Sequence, residues 1–251
     1  MTKIILSGCS GKMGASIIAC AASRTDCKIT AGIDIVAPQN AEIEYAKSFS
    51  ELKEGGEVII DFSNPALLDD MLSFAKENKL PCVICTTGYS EEQKARIFEA
   101  ANTIPVFYSG NMSLGINLII ELAKKAAAVF GEDFDVEIVE QHHNQKLDAP
   151  SGTALMIADA VAEVRDETQY VYDRHAYRKK REKKEIGIHS VRGGNIVGEH
   201  EIIFAGTDEI LKISHSARSK TVFAVGALNA AVFLKGKEPG MYNMSDLLAS
   251  K

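Results

Sequence analysis

Two histidines, a lysine and a run of small hydroxyl residues fall within fifteen positions, Glu140-Gln141-His142-His143-Asn144-Gln145-Lys146-Leu147-Asp148-Ala149-Pro150-Ser151-Gly152-Thr153-Ala154. Imidazole is the side chain that trades a proton near neutral pH, and an ammonium can both donate a proton and hold an anion. Pro150-Ser151-Gly152-Thr153 carries helix-start signals ahead of an Ala-rich apolar stretch, Ala154 to Val164. The free N–H groups of such a first turn, together with the positive end of the helix dipole, form an anion site. Lys146 adds a full positive charge beside it. The chemistry expected is proton transfer by His142 or His143 to or from a molecule held there by a carboxylate.

Upstream, Phe134 to Glu140 alternates apolar and acidic residues, the period of a strand with one buried face. A strand therefore ends at the histidines, a polar loop crosses, and a helix opens at Ser151 to Thr153. Adjacent residues of a strand point to opposite faces, so only one of the two histidines addresses a given ligand.

A second constellation sits at the other end of the chain. Lys3 to Leu6 reads as a short buried strand, Gly8-Cys9-Ser10-Gly11-Lys12-Met13-Gly14 as a glycine-rich turn, and Ala15 to Ala22 as an apolar helix. That order matches the dinucleotide-binding fingerprint, in which a pyrophosphate rests on the helix N-terminus. The middle glycine of G-x-G-x-x-G is replaced by Ser10, giving G-x-x-G-x-x-G. The second strand, Lys28 to Ile33, ends at Asp34, where an acidic residue meets the adenosine ribose hydroxyls. Further strand-helix units follow: Glu57 to Asp61 with Ala66 to Asn78, Pro81 to Cys85 with Glu91 to Asn102, and Ile104 to Tyr108. Their polar exits are the expected walls of a nicotinamide pocket.

From Ser113 the pattern changes to a long helix, Asn117 to Phe130, followed by strands Val136 to Glu140, Ile186 to Val191, Ile196 to Phe204 and Ile210 to Ser216, expected to be antiparallel around the helix that follows the histidines. This is an α+β arrangement and hence a second domain. Thr221 to Leu234 is a final helix. The expected fold class is α/β, an N-terminal Rossmann-type doubly wound parallel sheet plus an α+β substrate-binding domain, with boundaries at 1–112, 113–220 and 221–251.

The 251 residues are 46% hydrophobic and 25% charged, enough for a real core in one large or two modest domains. A formal net charge of −6 argues against nucleic acid or an anionic membrane as partner. The basic stretch Arg178 to Lys184 is then expected to be an exposed loop. No apolar run approaches the ~18 residues of a membrane span or the pattern of a signal peptide, so a cytoplasmic protein is expected. Five cysteines without such a signal read as reduced thiols. Cys82 and Cys85 form a C-x-x-C within a strand, where they face opposite ways and cannot share a metal or close a disulfide. No metal site is expected.

Taken together, Gly8 to Gly14, Asp61-Phe62-Ser63, Thr86-Thr87-Gly88-Tyr89, Asn111 to Asn117, Glu140 to Thr153, Arg192 to His200 and Gly240-Met241-Tyr242-Asn243-Met244 resemble the 4-hydroxy-tetrahydrodipicolinate (dihydrodipicolinate) reductase family over nearly the whole chain. The run His-His-x-x-Lys-x-Asp-Ala-Pro-Ser-Gly-Thr is the most specific part. The resemblance implies NAD(P)H-dependent reduction of a cyclic dicarboxylate in diaminopimelate and lysine biosynthesis. It implies His142 as catalytic proton donor or acceptor and Lys146 as second proton donor. His143, Lys146, Ser151, Gly152 and Thr153 would hold the substrate carboxylates. Dinucleotide contacts would fall on Gly8, Cys9, Ser10, Gly11, Lys12, Met13, Asp34, Cys85, Thr86, Thr87, Ser109, Gly110, Asn111 and Met112. Cys85 stands where the family usually has glycine, and Gly110-Asn111-Met112 where it often has Ala-Asn-Phe. A homotetramer assembled through the second domain is also implied, with the C-terminal segment returning to the first.

NADH is expected to be preferred, because Asp34 would meet a 2'-phosphate with like charge and Ile35 offers no compensating cation. NADPH stays possible if Lys12 swings towards the ribose. Two other functions fit parts of the pattern: another NAD(P)-dependent dehydrogenase of a small amino or keto acid, and a non-enzymic nicotinamide-sensing regulator. The regulator would keep Gly8 to Gly14 and Asp34 but needs neither His142 nor Lys146, and the chain lacks a recognisable DNA-binding element or basic face.

Overall fold

The computed structural model describes residues 1–38, 43–53, 55–176 and 178–250. In chain order the elements are β1 (Thr2–Ser7), α1 (Lys12–Ala22), β2 (Cys27–Ile33), β3 (Glu44–Ala46), β4 (Val58–Asp61), α2 (Leu68–Asn78), β5 (Cys82–Ile84), α3 (Glu91–Ala100), β6 (Pro105–Tyr108), α4 (Leu114–Phe130), β7 (Asp135–His142), α5 (Gly152–Ala162), β8 (Gln169–Val171), β9 (Glu185–Arg192), β10 (Gly198–Ala205), β11 (Ile210–Ala217), α6 (Thr221–Leu234), β12 (Gly240–Tyr242) and α7 (Met244–Ala249). They fall into two units: Met1–Leu114 with Lys220–Lys251, and Gly115–Ser219.

The first unit is a seven-stranded sheet in the order β12-β6-β5-β4-β1-β2-β3, parallel throughout. Its central strands are apolar on both faces because helices cover both. Ile4, Leu6, Val58, Ile60 and Val83 pack with α1 and α6, whereas Ile5, Ile59, Ile84 and Val106 pack with α2 and α3. Cys85 lies in the first of these cores and Cys82 in the second, and burial raises both thiol pKa values. The C-x-x-C is thus split across the sheet. The strand order reverses between β1 and β4, so the loops after those strands diverge and leave a crevice at their carboxyl ends.

Several elements exceed the sequence expectation. Strands β3 and β12 are three-residue edges whose pattern is too short to register, and the first turn of the second helix is a separate 3-10 turn, Pro65–Leu67, opened by the Asn64 side chain. The C-terminal segment contributes β12 and α7 to the first unit, and α7 opens with an Asn243–Asp246 capping box.

The second unit is a five-stranded sheet in the order β11-β10-β7-β9-β8. It is mixed, not antiparallel as expected: β7 pairs parallel with β9, and β9 with β8, because the long excursion from β7 through α5 returns as a crossover. One face packs under α4 and α5 through Val136, Ile138, Ile186, Ile188, Ile202 and Phe204. The basic stretch is only partly a free loop. Arg181 turns inward to Glu137 (3.0 Å), Asp135 (2.8 Å) and the Val136 and Glu185 carbonyls, and Glu137 is shared with Arg174 (3.0 Å) and His189 (2.7 Å).

Candidate active site

Strand period decides what meets what in the second unit. On β7, Val136, Ile138, Glu140 and His142 share the buried face, so the alternation that points Asp135 and Glu137 outward brings the next acid, Glu140, inward. A carboxylate on an apolar face must be paired. Glu140, fully buried, accepts both Nη atoms of Arg192 (2.8 and 2.7 Å), the Ser151 N–H (3.1 Å) and the Nδ1 of His142 (2.5 Å). Burial pushes its pKa up, but Arg192, the Ser190 hydroxyl and His142 outweigh that and hold it at about 2.

An ionised carboxylate only accepts, so His142 must carry its proton on Nδ1, and Nε2 is the nitrogen left for chemistry. Burial lowers the His142 pKa below the ordinary value; Glu140 pushes it back up, and Lys146 and Arg192 push it down again. The resting ring is neutral at pH 7. Its Nε2 lies against Gly198, where an added Cβ would stand 3.1 Å from the nitrogen, so a side chain at that position would crowd it.

The helix start is built as its sequence signals indicate. Ser151 caps α5, its hydroxyl accepting the Ala154 N–H at 3.2 Å, and the same hydroxyl meets the Nε2 of His200 at 3.1 Å. His200 comes from β10, directly across from Glu140, and its ring lies edge-on to that of His142 with centroids 5.3 Å apart. Burial first, then repulsion from His142, pushes its pKa down to about 4. Lys146, in the loop, ion-pairs with Asp148 at 2.8 Å, and Asp148 is drawn further down by the Gly152 backbone N–H. An internal carboxylate therefore already rests on the cation and helix start expected to take an external one. His143 is half-buried and its carbonyl accepts the Lys146 N–H, while Gly152 is exposed and Thr153 half-buried in the first turn of α5.

In the first unit the glycine-rich turn is dictated by close approach. Gly8 has φ +82°, and a Cβ there would stand 2.3 Å from the Phe62 carbonyl oxygen; at Gly14 it would stand 2.3 Å from the Gly8 carbonyl oxygen. Gly11 caps α1 without a side chain to obstruct the helix N-terminus. These features fit a pyrophosphate. Asp34 accepts the Ser10 N–H at 2.9 Å and the Ile35 N–H at 2.8 Å, and faces a cleft of about 320 Å³ lined by Gly8, Gly11, Ser63, Asn64 and Lys47. Cys9, Cys85 and Met112 are buried in the core, leaving backbone atoms as what they can offer a ligand, whereas Lys12 is exposed on the first turn of α1 and Met13 packs half-buried against that core. Thr86 accepts the Ser63 N–H at 2.8 Å, and the exit of β6 is tied by Ser109 and Asn111, with Gly110 exposed. Gly226 of α6 lets this last loop close, since a Cβ would meet the Met112 carbonyl oxygen at 1.7 Å.

Residues 2–112 match the family model described as dihydrodipicolinate reductase, N-terminus, and residues 115–248 the model of its C-terminus. The chain belongs to the dihydrodipicolinate reductase family. It is 48% identical over 252 residues to the 4-hydroxy-tetrahydrodipicolinate reductase of Clostridium novyi (strain NT), covering all of both chains. It is 49% identical to that of Caldanaerobacter subterraneus subsp. tengcongensis, covering 99% of this chain and 98% of the relative. Among solved structures, dipicolinate-bound dihydrodipicolinate reductase from Paenisporosarcina sp. TG-14 superposes with a TM-score of 0.80 at 26% identity over 97% of each chain. A probable dehydrogenase from Thermotoga maritima, 10% identical with a TM-score of 0.61 over 99% of this chain and 93% of its own, shares the fold. The family's C-terminal model runs through α6 and β12, which nevertheless build the first unit.

Glu140, Arg192, His200 and Gly198 belong to runs that carry the family resemblance, but none of them had a function of its own in the sequence reading. A signal for the first existed: Glu140 is in phase with Val136 and Ile138, two residues before His142. Arg192 and His200 lie roughly fifty to sixty positions downstream and are brought beside it by the pairing of β9 and β10 with β7. Among the described residues no three His, Cys, Asp or Glu side chains gather as a metal site, and no helix is long and apolar enough to cross a membrane.

Proposed function

We propose that the chain reduces 4-hydroxy-tetrahydrodipicolinate to tetrahydrodipicolinate at the expense of NAD(P)H. The observation that carries this reading is the neutral His142, fixed through Nδ1 by a buried ionised Glu140, beside a capped helix start with Lys146. Lys146, His143 and the Ser151-Gly152-Thr153 turn hold the ring carboxylates. The His142 Nε2 takes a proton from the ring carbon next to the imine as the hydroxyl on the following carbon leaves. Lys146 supplies that hydroxyl with the proton that makes it water. The hydride that the carbon losing its hydroxyl requires is the chemistry a reduced nicotinamide would supply when held by the glycine-rich turn. The imidazolium of His142 then returns its proton to the neighbouring carbon, so one proton and one hydride enter and one water leaves. A resting histidine held neutral suits this order, since it must first act as a base.

The dinucleotide is held by Gly8 to Met13, Asp34, Cys85 to Thr87 and Ser109 to Met112, chiefly through backbone atoms. NADH is preferred: both oxygens of Asp34 are held in place by N–H donors, and a 2'-phosphate beside it meets like charge, at roughly 1 to 3 kcal/mol in a partly solvated cleft. The protein acts in the cytoplasm as a homotetramer, with the sheet face of the second unit that bears Val139, Val191 and Ile203 turned to its copies.

The test is loss of reduced-nicotinamide absorbance with enzymatically generated substrate, and inhibition by pyridine-2,6-dicarboxylate. Turnover that this planar dicarboxylate inhibits competitively against substrate is expected. Competition with the nucleotide alone would mean that the carboxylate site lies elsewhere.

A further inference from the structure

Asp34 and Lys47 stand side by side at the carboxyl ends of adjacent parallel strands. Ile33 of β2 pairs with Ala46 of β3, and the Asp34 N–H donates to the Ala46 carbonyl at 3.3 Å, so the next residue on each strand is Asp34 on one and Lys47 on the other. Both line the same cleft with Gly8, Gly11, Ser63 and Asn64. The Lys47 backbone is held by its own N–H, which donates to the Glu51 carboxylate at 3.0 Å. Its ammonium makes no ion pair or hydrogen bond among the described residues, although the acid Glu51 is near. Lys12, the cation within the glycine-rich turn, does not line this cleft, and Ile35, which follows Asp34, is 81% exposed and carries no charge.

From this juxtaposition we propose that Lys47 is the residue that sets how far the chain tolerates NADPH, its ammonium acting as the counter-charge to a 2'-phosphate that Asp34 alone would repel. The proposal rests on the reading of this cleft as the adenosine-ribose site. A carboxylate placed for the ribose hydroxyls disfavours the extra phosphate, and an uncommitted ammonium on the neighbouring strand offsets part of that. A long, solvated lysine attracts a dianion without needing a fixed fork geometry, and its effect weakens with salt. Glu51, anchored on the backbone beside it, keeps that attraction moderate. NADH, with a neutral ribose there, has no use for the charge.

The experiment is equilibrium titration of NADH and NADPH into the purified full-length protein, comparing the unmodified chain with Lys47→Gln, Lys47→Arg and Lys12→Gln at two salt concentrations. In Lys47→Gln, NADPH affinity should fall about 2- to 5-fold more than NADH affinity, the scale of one exposed charge pair, with the difference shrinking at high salt. Lys47→Arg should keep the original ratio. An unchanged NADPH-to-NADH ratio in Lys47→Gln, or a change confined to Lys12→Gln, would overturn the assignment while leaving the cleft's identity intact. Failure of the unmodified protein to bind either nucleotide would overturn the cleft's identity and the assignment together.

Discussion

Replacing Glu140 by glutamine removes one negative charge and almost no volume. The side chain is fully buried and accepts hydrogen bonds from both Arg192 Nη atoms, the Ser151 N–H, the His142 Nδ1 and the Ser190 hydroxyl. Glutamine keeps one acceptor oxygen but turns an NH2 donor towards groups that are themselves donors. Holding the carboxyl at about 2 instead of its ordinary 4.5 corresponds to roughly 3 kcal/mol of favourable coupling between the charge and its surroundings. Because the folded pKa is the lower one, that contribution is complete above about 4.5 and disappears as pH falls through about 2. Glu140→Gln should therefore lose roughly 3 kcal/mol of stability at neutral pH, read from urea unfolding. It should also lower kcat by about 10- to 100-fold through mis-set His142. The more specific readout is the pH profile of kcat. Glu140 is the group that pushes the His142 pKa up against burial, so its loss must move the limb belonging to His142 to lower pH. A variant with the normal profile, measured where it remains folded, would refute the claim that Glu140 orients and tunes that ring.

Three further outcomes follow from the same geometry. His142→Gln and Lys146→Ala should each lower kcat by about 100-fold or more, and the double variant should lose less than the product if they serve one proton relay; near-normal turnover in either single variant would remove it from the mechanism. Asp148→Asn should free Lys146 and the Gly152 N–H, tightening pyridine-2,6-dicarboxylate by up to about fivefold, the scale of an exposed ion pair; weaker binding would show that Asp148 organises the anion site and does not compete for it. His200→Gln should flatten acid sensitivity. The unfolded chain binds the extra proton between pH 6.5 and about 4, so the unmodified protein loses roughly 3 kcal/mol across that window and the variant should not, by urea unfolding at the two ends.

The order of the longer elements was legible because each of them leaves a local mark. The strand-turn-helix at Gly8 to Gly14, the terminal helix at Thr221 and the Ser151 cap are all written in neighbouring residues. The direction of β9 was not, since whether a strand runs parallel or antiparallel depends on the path of a forty-residue connection and not on the strand's own pattern. The three-residue edges β3, β8 and β12 hold too few residues for a period. Lys47 went unnoticed for the same reason: its place beside Asp34 exists only through the pairing of β3 with β2. His142 and Lys146 could be picked out by type and spacing, but what governs His142 is a carboxylate on the wrong-looking face of a strand and an arginine brought to it by β9.

The first unit is interrupted: it opens with β1, pauses after Leu114, and resumes at Lys220. During synthesis the interior segment is therefore the first to have all its strands, once β11 has left the ribosome. The earlier-made sheet must wait, with the face destined for Ala224, Ala227, Leu228, Ala231 and Leu234 still bare. Its edge beside β6 is covered only when Gly240–Tyr242 emerges. A nascent chain of this kind keeps that apolar face uncovered until α6 is made, so termination just before α6 leaves the first unit without part of its core even though every strand of the second is complete.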